Sequence, residues 1–65
     1  MNPKNDDLKS TFARIYANLP LAERSEIIAV IGSQPMTWNV CSDEIRNNTK
    51  MGERILEYLR KLDLI

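Results

Sequence analysis

Ile27-Ile28-Ala29-Val30-Ile31-Gly32-Ser33-Gln34-Pro35-Met36-Thr37-Trp38 is the stretch on which the fold turns, because it supports two incompatible readings. As the end of a helix opened by Pro20, it places Leu21, Ile27, Ile28 and Ile31 on one apolar face, and Gly32 supplies the left-handed position that closes a helix. As strands, the β-branched run from Ile27 to Ile31 leads into Gly32-Ser33, a pair suited to a type II′ hairpin turn, and returns through Met36-Thr37-Trp38. An isolated two-stranded hairpin is marginal in water, and Pro35 would have to lie at an edge. The helical reading is therefore preferred. The expected fold is mainly α, a compact orthogonal bundle of three to four short helices; the alternative is α+β with a short β-hairpin around 27–38.

Working outward, the flanks read more simply. Leu8, Phe12, Ile15 and Leu19 recur at helical spacing with Tyr16 beside them, and Lys9, Ser10, Arg14 and Asn18 fall opposite. Residues 1–7 are polar and turn-prone, so a flexible N-terminal arm is expected there, with Asn5 or Asp6 as helix cap and residues 8–65 as a single helical domain. On the other side, Thr37 can cap a helix carrying Trp38, Cys41 and Ile45 on one face. Asn47-Asn48 can end it, and Thr49 can cap the next, whose inner face is Met51, Ile55, Tyr58, Leu59 and Leu62. The expected core is Leu8, Phe12, Ile15, Leu19, Ile28, Ile31, Trp38, Cys41, Ile45, Ile55, Leu59 and Leu62, with Trp38 as its anchor. Gly52 falls on the apolar side of the last helix, where either close approach of a neighbouring helix or a tolerated first-turn glycine accounts for it.

Composition bounds the rest. The 65 residues are 43% hydrophobic and 28% charged, a globular balance. A core of this size rarely supplies more than about 3 to 5 kcal/mol, so association that completes it is a natural expectation. Nine Lys and Arg balance nine Asp and Glu, which leaves no long-range field to attract nucleic acid, anionic membrane or acidic substrates. The longest apolar run, Ile27 to Ile31, is far below the ~20 residues of a membrane span. With one cysteine and no leader-like apolar stretch near Met1, a cytoplasmic setting is expected.

The chain has no histidine, which removes Cys-His pairs, Ser-His-Asp triads and most zinc sites. Cys41 sits on an inner helical face, where a free cysteine behaves as a small hydrophobe. The adjacent carboxylates Asp6-Asp7 and Asp43-Glu44 diverge by about 100° on a helix and cannot converge on one metal or proton. Two glycines are too few for a phosphate-binding loop. No enzymatic activity, cofactor, metal or small-molecule substrate is expected. Three positions suit a protein partner: Arg24, a charge within an apolar arc, whose guanidinium would reach water or Glu44; and Val30 and Leu56, at the margins of apolar faces.

From Thr37 to Ile65 the order is capped helix, polar turn Asn47-Asn48-Thr49, second helix and the closing phrase Leu62-Asp63-Leu64-Ile65. This resembles the helix-turn-helix of winged-helix domains, in a wingless form. The resemblance implies that the last helix enters a DNA groove, with Asn48, Thr49, Lys50, Arg54 and Lys61 facing the duplex beside Glu53 and Glu57. Two functions follow as expectations: a non-enzymatic protein-interaction or structural module that associates with itself or another protein, and, as the alternative, a helix-turn-helix DNA-binding or transcription accessory protein. No membrane partner is expected.

Overall fold

A computed structural model describes residues 3–65, with side chains from Asp6 onward. The order is α1 (Pro3–Ala17), a 3-10 turn (Leu21–Ser25), β1 (Ile27–Ile31), β2 (Gln34–Thr37), α2 (Trp38–Arg46) and α3 (Lys50–Lys61). The described chain is mainly helical, with three α-helices and one antiparallel hairpin, so the α+β alternative describes it better than an all-helical bundle.

The helix expected over 20–31 does not form. Pro20 is extended (φ −58°, ψ 146°), the 3-10 turn follows, and Glu26 returns the backbone to extended geometry (φ −82°, ψ 147°). Four β-branched residues then enter β1, whose inward side chains Ala29 and Ile31 are buried with Met36 of β2. The two-residue loop Gly32-Ser33 puts positive φ (64°) on glycine alone, the sign pattern of a type II′ turn. Ala29 pairs with Met36, Val30 with Pro35 and Ile31 with Gln34, and a bulge at Ile28 shifts the register before Ile27 meets Thr37. Packing of the inner face against the helices gives the hairpin the support it lacks alone.

The first helix reaches back to Pro3, through residues assigned to the arm, and so the expected caps Asn5 and Asp6 lie inside it. Proline suits a helix's first turn because its missing N–H would have had no intrahelical acceptor. Residues 1 and 2 lie outside the described chain.

Phe12, Ala29, Ile31, Met36, Cys41, Ile45, Ile55, Leu56 and Leu59 form the buried core. Leu8, Ile28 and Trp38 pack against it half-buried rather than inside it. Phe12, not Trp38, is the central ring: Trp38 lies tilted across it at 5.6 Å and Tyr16 stacks on it at 6.2 Å. Leu62, expected inside, is 53% exposed, because α3 turns its Gly52–Ile55–Leu56–Leu59 stripe inward instead.

Candidate functional site

The α2–α3 corner is built from interlocking caps. Thr37 Oγ1 accepts from Val40 N–H at 3.1 Å and opens α2. At the other end Asn48 adopts φ 56°; its N–H donates to the Ile45 carbonyl and that of Thr49 donates to Glu44, which together make a Schellman closure. Thr49 then begins α3, its Oγ1 accepting from Gly52 N–H at 2.9 Å and donating to Glu44 Oε1 at 2.6 Å. Gly52 lies so close to α2 that a Cβ there would fall 2.5 Å from the Glu44 carbonyl oxygen. Close helix approach therefore accounts for this glycine. A second Schellman closure, with Asp63 at φ 60°, ends α3.

This rigid corner determines where the expected functional residues stand. Lys50, Arg54 and Lys61 share the outer face of α3 with Glu53 and Glu57 and, with Tyr58 of the same helix, line an open groove of about 550 Å³ whose other lining residues are Ile31 of β1 and Gly32 of the turn. Asn48 does not join them. It faces the opposite side, accepts a hydrogen bond from Lys9 Nζ, and borders a separate 410 Å³ cavity between α1 and α2 lined by Phe12, Tyr16 and Arg46. Thr49 is half-buried and engaged in the cap. The groove face has mixed signs, and Glu57 also accepts a 2.6 Å ion pair from Arg60, whose guanidinium pKa is raised by it.

The partner-facing candidates also separate. Leu56 is 1% exposed and belongs to the core, so no partner can reach it in the folded chain. Arg24 covers Tyr16, with its guanidinium carbon 4.4 Å from the ring centroid and Nη2 donating to the Tyr16 carbonyl at 3.2 Å. Its cation thus sits at the carbonyl end of α1, where the helix dipole favours it, rather than beside Glu44, which Thr49 engages. Val30 stands on the outer face of the hairpin, 49% exposed, near Ile27 at 59% and exposed Pro35.

Cys41 is fully buried, and desolvation pushes its thiol pKa up to about 11, so it stays protonated at neutral pH. Among the described residues no group of three or more His, Cys, Asp and Glu side chains is placed to hold a metal ion. No helix there is long and apolar enough to cross a membrane. Comparison with protein-family models, with curated proteins and with solved structures finds no match for this chain.

Sequence reasoning flagged Val30 but not its setting. The signal for that setting was Pro35 opposite a β-branched run, legible once 27–31 is read as a strand.

Proposed function

We propose that this chain is a small non-enzymatic protein-interaction module that associates with copies of itself. The observation that carries the reading is the hairpin's outer surface: Ile27, Val30 and Pro35 are exposed on a sheet only two strands wide, where each unsupported apolar side chain gains by burial. Balanced charge supports it, since copies of a neutral chain do not repel one another at long range. Sedimentation equilibrium over a concentration series tests it. The expected result is a mass rising toward a dimer, abolished by Val30→Glu. A constant monomer mass up to millimolar concentration refutes self-association.

A second reading, of DNA binding through the wingless helix-turn-helix, draws support from Lys50, Arg54 and Lys61 lining one groove. Glu53 and Glu57 on the same wall oppose phosphate approach, and Asn48 and Thr49 are turned away or engaged. Duplex titration decides: binding that weakens steeply with salt would replace the first reading, and the expected result is no binding even at low salt.

A further inference from the structure

We infer that β1 is a strand-pairing edge for a second copy of this chain, so that two hairpins join antiparallel about a two-fold axis at Val30 into one four-stranded sheet. This rests on the self-association reading and adds the interface through which it occurs.

A two-stranded sheet leaves two edges, and here they are unequal. The two-residue loop makes Ile31 and Gln34 the hydrogen-bonded closing pair, so by alternation Val30 and Pro35 form the next, non-bonded pair, whose backbone groups point away from the sheet. On β2 that outward position is a proline, which has no N–H to donate, and the edge is blunted. On β1 it is Val30, with both N–H and C=O directed outward. No turn, cap or side-chain hydrogen bond among the described residues reaches either group. The bulge at Ile28 limits the regular edge to its Gly32 end, which centres any pairing on Val30.

A two-fold axis is the operation that such an edge satisfies alone. Val30 opposite its own copy exchanges N–H···O=C bonds in both directions and sets two exposed valines side by side. The flanking groove agrees, for it is walled by Ile31 of β1, Gly32 of the turn and α3, with no β2 residue. The groove beside this edge is lined by Lys50, Glu53, Arg54, Glu57 and Lys61 of α3, and where the axis brings this stripe to its copy, its mixed signs let cations meet carboxylates from both sides. A partner of one strong charge finds no single-sign surface to match.

The test is amide hydrogen exchange at Val30, followed by NMR on the whole chain across a dilution series, beside the equilibrium mass. Expected are protection of the Val30 amide that rises at least tenfold as dimer forms, and at least tenfold weaker association for Val30→Lys. Val40→Lys, which changes an exposed apolar residue on α2, should leave association unchanged. A dimer with an unprotected Val30 amide overturns strand pairing while leaving self-association standing. A monomer overturns both, as does protection gained only when a foreign extended peptide is added.

Discussion

The α2–α3 corner and the β1–β2 hairpin adjoin at Thr37, yet they handle their backbone groups in opposite ways. In the corner nearly every exposed end is answered locally: Thr37 and Thr49 cap, Asn48 and Asp63 close, and Gly52 lets the helices touch. In the hairpin one edge is left open, three apolar side chains face out, and a bulge interrupts the ladder. The corner is finished within the chain, whereas the hairpin, among the described residues, keeps an exposed apolar outer face. A substitution should therefore disturb stability in the first and association in the second.

The largest effect belongs to Gly52→Ala. Intrinsic helix propensity favours alanine by about 1 kcal/mol, but the new methyl meets Glu44 backbone atoms that cannot swing aside, at a cost of up to about 3 kcal/mol, and we expect a net loss of about 2 kcal/mol in urea denaturation. Unchanged or higher stability would mean that the helices are not in close contact. Next, Thr49→Ala removes the hydroxyl that both starts α3 and ties it to Glu44, with an expected loss of about 1 to 2 kcal/mol by the same measurement. A loss no larger than an exposed substitution gives would break the interlocked-cap account.

Asp63→Gly should act in the other direction. The left-handed φ costs a side chain about 1 to 2 kcal/mol, part of which returns as the extra freedom of glycine in the unfolded chain, so the thermal midpoint should rise by the equivalent of about 0.5 kcal/mol. A fall would indicate that the Asp63 carboxylate matters more than its backbone. The smallest effect is on the open side: Val30→Thr should change monomer stability, measured at a concentration below association, by less than about 0.5 kcal/mol. A larger loss would show that Val30 supports the hairpin rather than its surface.

The same division explains what could be read from the residues. Both caps of the corner, its turn and the stripe of α2 were legible, because a capping hydroxyl and an i, i+3 or i+4 pair act within one turn of helix. The inner face of α3 was read one position off. Periodicity places Leu62 inside and Leu56 at the margin, whereas the close approach of α2 at Gly52 centres the buried stripe on 52, 55, 56 and 59. Of the candidate DNA-facing residues, Lys50, Arg54 and Lys61 are brought together because they share a helix face. Asn48 and Thr49 drop out because the turn uses them. Arg24 could not be placed from sequence, since its partner, Tyr16, comes to it only when the chain doubles back after Pro20.

Residue identity and short-range spacing were enough for α2, the polar turn and α3, for the buried place of Cys41 and for the lack of histidine, because these depend on interactions spanning about five positions or fewer. That Ile27–Ile31 is a strand followed from packing between segments far apart in the chain. Its β-branched residues and its helix-compatible spacing pull in opposite directions locally, and the balance is tipped by burying Ala29, Ile31 and Met36 against helices far along the chain, an energy that no short window contains.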